Sequence, residues 1–127
     1  MDRKMFKQIM EFRMVHKDKT KILSHEEQLD ILRQSIDVCN QEHPGPFSGY
    51  YNIIVALEEF GELTQEIGKA LREKPNEIGI LEELADVSLG LDYIKEVFNI
   101  SDEQLCHARS IKMQRLKSNL KSKNKKY

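Results

Sequence analysis

The chain has 127 residues, of which 39% are hydrophobic and 32% charged, and a formal net charge of −1; this points to one soluble globular domain with a single core of modest size. No apolar run approaches the roughly 18 residues that span a bilayer, and the N-terminus lacks the apolar core of a signal peptide. The chain therefore reads as cytoplasmic, with no membrane partner. Three prolines, six glycines and no tryptophan, beside dense Leu, Ile, Glu, Lys and Gln, favour helices, because straight-chain residues lose little rotamer freedom there.

Residues 4 to 15 predict a short amphipathic helix with Met5, Ile9 and Phe12 on one face and Phe6 and Met10 alongside. The polar run 16–20 ends it, and residues 1–24 read as an N-terminal arm, suited to oligomerisation or to acting as a lid. Ser24-His25-Glu26-Glu27 has the form of a capping box, in which serine and glutamate satisfy the free amides of a helix start. Leu29, Leu32 and Ile36 give that helix its apolar stripe, to about Gln41. His43-Pro44-Gly45-Pro46 stops it, since proline removes a donor and glycine permits a tight turn.

The next helix, roughly Ser48 to Arg72, places Ile53, Leu57, Phe60, Leu63, Ile67 and Leu71 on one stripe, with Glu59, Glu62 and Glu66 as a row along its edge. Lys74-Pro75-Asn76 breaks the chain again. A helix from about Glu77 to Phe98 then carries Ile80, Leu84, Val87, Leu91 and Ile94 inward, and at 100° per residue Glu83 and Asp86 fall among these core positions. Ser101-Asp102-Glu103-Gln104 is a second capping signal, opening a helix with Leu105, Ile111 and Leu116 that runs into a basic tail at 119–127. The expected fold is all-α: a four-helix-bundle-like domain with short connections and antiparallel neighbours, over residues 25–118, plus the N-terminal helical arm.

The two acidic clusters, Glu58-Glu59-Phe60-Gly61-Glu62 and Glu82-Glu83-Leu84-Ala85-Asp86, carry the chemistry. Residues three apart share a helix face, so Glu59 with Glu62 and Glu83 with Asp86 each form a two-carboxylate claw. Four oxygen donors suit a hard divalent cation such as magnesium. A bound cation offsets the several kcal/mol, in order of magnitude, that each unpaired buried carboxylate costs. Gly90, one turn from Asp86, leaves room. The competing reading is a solvated charge row, common in chains this acidic.

A di-iron bundle expects Glu-x-x-His on two helices, and none of the four histidines stands three residues after a Glu. His25, His43 and His107 read as surface residues. Cys39 and Cys106 lack metal-ligand spacing and read as reduced, buried thiols. With no glycine-rich phosphate loop in the sequence, phosphates would be held by metal and basic side chains, for which Lys112 and Arg115, three apart, are the candidates. After Glu103 no acidic residue occurs. The basic end carries no interleaved aromatics for base stacking except Tyr127, which disfavours nucleic acid as a partner.

Glu58-Glu59-x-x-Glu62, then twenty residues, then Glu83-x-x-Asp86 resembles the EExxE to ExxD signature of the MazG-like all-α nucleoside triphosphate pyrophosphohydrolases. The resemblance covers roughly residues 26 to 118, including the EEFGEL and EELADV contexts and the Lys112-x-x-Arg115 segment. It implies magnesium-dependent hydrolysis of a nucleoside triphosphate to a monophosphate and pyrophosphate, with manganese as the alternative ion. It further implies Glu59, Glu62, Glu83 and Asp86 as metal ligands, Lys112 and Arg115 on the leaving pyrophosphate, and a homodimer or homotetramer with shared sites. Glu62 is the candidate proton acceptor, with Glu58 or Glu66 standing behind the ligands. Tyr50, Tyr51, Asn52 and Tyr93 are the candidates to meet a nucleoside, against ordinary packing roles for each. Two rivals are a related enzyme acting on phosphoribosyl-ATP and a non-catalytic bundle that binds a nucleotide or a protein; a third, nucleic-acid binding through the tail, ranks last.

Overall fold

The computed structural model describes residues 3–16, 19 and 21–124. Part of the expected polar break (17, 18 and 20), the end of the basic tail (125–127) and the side chains of Met5 and Phe6 lie outside that description. Among the described residues the chain forms five α-helices and no strand: α1 Arg3–Val15, α2 His25–Glu42, α3 Tyr51–Arg72, α4 Glu77–Val97 and α5 Asp102–Asn124, with a 3₁₀ turn at Ser48–Tyr50. The all-α expectation holds. The chain divides into two compact units, Met1–Ile94 and Lys95–Tyr127.

In the first unit, local chemistry fixes the helix ends. Ser24 Oγ accepts from the Glu27 amide at 3.1 Å while Glu27 Oε1 accepts from the Ser24 amide at 3.4 Å, completing the capping box. Lys21 sits 3.2 Å from Glu27 Oε2 and, with Ser24, holds that carboxyl below the usual range. Replacing Ser24 with alanine leaves the Glu27 amide without its acceptor and should cost about 1 kcal/mol, read as a lowered unfolding midpoint in urea with an unchanged slope. Gly45 carries the corner after α2 with φ 132°, a region open to glycine, and Ser48 Oγ donates to the Asn40 carbonyl at 2.9 Å to close it.

α3 and α4 are antiparallel, because Ala56 meets Gly90 while Glu59 and Glu62 meet Glu83. A Cβ on Gly90 would stand 3.0 Å from Ala56 Cβ and 3.3 Å from Phe60 Cε1, so the glycine sets how closely the helices approach. α1 lies against the first half of α4: Lys4 and Gln8 both reach Glu77, and His16 Nε2 is 3.5 Å from Glu82 Oε1. The Lys4 ammonium, and after it the Gln8 amide, hold the Glu77 carboxyl below its ordinary range against a smaller upward push from burial.

The buried side of α3 differs from the expected stripe. Asn52 and Ala56 are its fully buried residues, while of the expected stripe Ile53, Phe60 and Leu63 are half-buried and Leu57, Ile67 and Leu71 are exposed. On α4, Gly90 is buried and Leu84 and Leu91 are exposed. The seam is therefore made by small residues that let two backbones come close, and the larger aliphatics are displaced to its flanks. On α2, Leu32 is buried as expected.

The second unit begins in the last turn of α4, which ends in a left-handed residue, Asn99 at φ 59°. The Ile100 amide reaches back to the Lys95 carbonyl at 2.8 Å, satisfying a carbonyl that the helix end would leave open. Ser101 Oγ accepts from the Gln104 amide at 3.1 Å and Gln104 Oε1 accepts from the Ser101 amide at 2.9 Å, so the second capping signal also forms. Lys95 pairs with Asp102. The described residues of α5 through Lys123 are all exposed, including Leu105, Ile111 and Leu116. Cys106 is thus an exposed thiol, contrary to expectation, while Cys39 is half-buried; both are free.

Candidate metal centre

Glu59 and Glu62 sit one turn apart on α3, and Glu83 comes from the facing part of α4. One oxygen from each lies within 4.8 Å of the other two. The close Ala56–Gly90 approach makes this possible, since side chains one to two turns away must then share a narrow gap. Glu59 and Glu83 are half-buried and Glu62 is exposed, which gives the cluster a closed side and an open side.

The electrostatics record the crowding. Burial, then the charges of Asp86 and Glu62, push the Glu59 carboxyl above its ordinary range, with Glu83 adding to the effect. Burial, then Glu62, Asp86, Glu66 and Glu82, push Glu83 the same way. Desolvation and like charge both penalise the ionised form. Glu59 Oε2 and Glu83 Oε2 are also buried without a hydrogen-bond partner.

A hard divalent cation suits these oxygens. Carboxylates are the donors such ions take, a positive charge reverses the local pKa logic, and two orphaned buried oxygens leave lone pairs for coordination. Asp86 is exposed and stands outside the close triad, although its charge is felt strongly at Glu59. The core-facing placement expected for Asp86 is corrected accordingly. It lies on the solvent edge of α4, where it adds negative potential to the cluster.

The other candidates are placed as follows. Lys112 and Arg115 are exposed side chains of α5 in the second unit. Tyr51 stacks on His43 with ring centroids 3.8 Å apart. Asn52 is buried and donates from Nδ2 to Cys39 Sγ at 3.6 Å, and the Tyr93 hydroxyl donates to Ser35 Oγ at 3.0 Å. Tyr51, Asn52 and Tyr93 therefore have packing partners, while half of Tyr50 is exposed. Glu66 is half-buried and acts on Glu83 through its charge.

Sequence reading missed one neighbour of the cluster. His16, in the turn that follows α1, approaches Glu82, the residue before Glu83, and its ring is packed at a tilt on Phe12, centroids 4.8 Å apart. The signal was within reach on one side only: His16 follows Phe12 by four residues, so the two share a face at the end of α1, but its approach to α4 depends on tertiary packing. Comparison of the chain with protein-family models, with curated proteins and with solved structures gives no match.

Proposed function

We propose that the protein is a magnesium-dependent nucleoside triphosphate pyrophosphohydrolase of the MazG-like kind, releasing a nucleoside monophosphate and pyrophosphate. The observation that carries this reading is the convergence of Glu59, Glu62 and Glu83 from two antiparallel helices, with Glu59 Oε2 and Glu83 Oε2 buried and unpartnered. The spacing of the two acidic clusters supplies the substrate class by resemblance.

In this reading Glu59, Glu62 and Glu83 would hold the ion, with Asp86 as the fourth ligand that the resemblance implies. A bound divalent ion supplies neutralisation of phosphate oxygens and a lowered pKa for water. Glu62, the exposed member of the triad, accepts the proton of the attacking water. The new bond joins the water oxygen to the α-phosphorus, and the bond from the α-phosphorus to the bridging oxygen breaks. Lys112 and Arg115 serve the departing pyrophosphate, whose charge they match.

We also infer a homodimer or homotetramer. Support comes from the small core: Leu32 and Ala56 are the buried hydrophobic residues among those described, while many large aliphatics are exposed. Exposed apolar surface on this scale marks association.

The decisive experiment is pyrophosphate release from canonical and modified (d)NTPs and from phosphoribosyl-ATP, with magnesium, with manganese and with chelator. Release from nucleoside triphosphates that stops on chelation is the expected result. Preference for phosphoribosyl-ATP moves the activity to the histidine-synthesis type of enzyme, and silence with magnesium bound leaves a binding module.

A further inference from the structure

The outer face of α3 sets exposed aliphatic residues beside glycines. At 100° per residue, Ile54, Leu57, Gly61, Thr64, Gly68 and Leu71 fall within about 100° of one another, on the side away from Ala56 and Glu59. Leu57 is 58% and Leu71 84% exposed. Gly61 and Gly68 interrupt a long helix where alanine would stabilise it, and a Cβ on either would meet nothing within 4 Å. Large aliphatics at the ends and bare backbone at the centre are the profile of a surface that another helix crosses closely.

The charges along this face select the occupant. Glu58 lies in the first half of α3, and Lys69 and Arg72 close its last turn. Glu58, Lys69 and Arg72 are exposed along the same edge of the face. A helix with this layout is complementary to itself when reversed: a two-fold axis between Thr64 and Gln65 sets Gly61 against the second copy's Gly68. The same axis brings Leu57 beside the second copy's Leu71, and Glu58 within reach of its Lys69 and Arg72. A parallel arrangement would instead oppose like charges.

We propose that two copies of this chain pair antiparallel through the outer faces of α3, with the two-fold axis between Thr64 and Gln65. The contact is isologous, so each residue of the face meets its counterpart in reverse order. Thr64 donates its hydroxyl to the Phe60 carbonyl of its own helix at 2.9 Å, so that hydroxyl needs no partner from the second copy. The proposal specifies a surface for the oligomer inferred above, and its readouts are mass and cross-linking, so it stands or falls apart from the enzymatic reading.

The test uses the full chain with Cys39 and Cys106 replaced by serine. Thr64→Cys, oxidised by a copper(II) phenanthroline complex that takes up the two electrons, should give a disulfide-linked dimer in high yield. Leu57→Cys should not link to itself, while Leu57→Cys combined with Leu71→Cys should. Separately, Gly61→Trp with Gly68→Trp should convert the wild-type oligomer to a smaller species by sedimentation, with helical circular dichroism retained, because each chain alone has room for the added rings. A wild-type chain that sediments as a monomer at high micromolar concentration overturns the proposal. So does an oligomer in which Thr64→Cys stays unlinked and the tryptophan variant keeps its mass; in that case the oligomer stands and another face makes it.

Discussion

Replacing Glu59 or Glu83 with glutamine should reduce metal-dependent pyrophosphate release by at least about a thousand-fold, the scale on which loss of a principal electrostatic group acts, while raising the melting temperature of the metal-free protein. The two effects have one origin. Both carboxyls are held above their ordinary range by burial first and then by the charges of Glu62 and Asp86, so in the absence of a cation each ionised group destabilises the fold. Glutamine keeps the shape and removes the charge. A drop in stability on Glu59→Gln without metal would show that the carboxylate already has a partner, and would sink the metal reading.

The pH dependence follows with its sign. A carboxyl with a raised folded pKa binds protons more tightly in the native state than in the unfolded chain, so stability falls as pH rises. The window opens at the ordinary carboxylate range and extends upward through the raised values of Glu59 and Glu83. Metal-free wild-type protein should therefore lose stability across that window, and Glu59→Gln should flatten the loss. Saturating magnesium should raise the wild-type melting temperature, since a ligand at one hundred times its Kd contributes about 2.7 kcal/mol. The glutamine variants should show little of that gain. Scanning calorimetry at several pH values, with and without magnesium, reads all of these.

Gly90→Leu should be the most damaging single change in the core. A Cβ at this position would already stand 3.0 Å from the Ala56 side chain, and Ala56 is 1% exposed, so the added side chain forces α3 and α4 apart. Overpacking costs typically about 1–3 kcal/mol and occasionally more, a large share of the stability of a domain with so few buried residues. Because the same approach brings Glu59 and Glu62 to Glu83, metal affinity should fall together with stability. Retained magnesium binding at a lowered melting temperature would separate the seam from the site.

Helix ends were legible from single residues. Ser24 with Glu27 and Ser101 with Gln104 form the reciprocal caps that their spacing announced, and the proline-containing breaks fall where helices stop. The pairing of Glu59 with Glu62 was legible too, because an i, i+3 spacing is local geometry, whereas Glu83 joins them through the packing of α3 on α4 and its own i+3 neighbour Asp86 stays outside the triad. The buried face of α3 was not. Hydrophobicity favoured the stripe with Leu57 and Leu71, yet the helices meet through Ala56 and Gly90. Hydrophobicity reports what a side chain prefers, whereas burial is decided by which faces can come close, and small residues win that contest. Asp86 was misplaced for the same reason, since its face of α4 was assigned from the aliphatic stripe. The approach of His16 to Glu82 joins residues far apart in the chain, and no local pattern encodes it.

The attachment of α1 has its own consequence. Lys4, Gln8 and His16 meet α4 through Glu77 and Glu82, on partly exposed polar side chains. Attraction between exposed charges is screened within about 8 Å at physiological ionic strength and about 3 Å in molar salt, while apolar packing such as that of Leu32 is strengthened by excluded salts. The dissolved ions thus act in opposite directions on the two parts of the first unit. Salt loosens the clasp that α1 forms beside the carboxylates and tightens the core beneath it, which makes ionic strength a control on the protein that temperature cannot imitate.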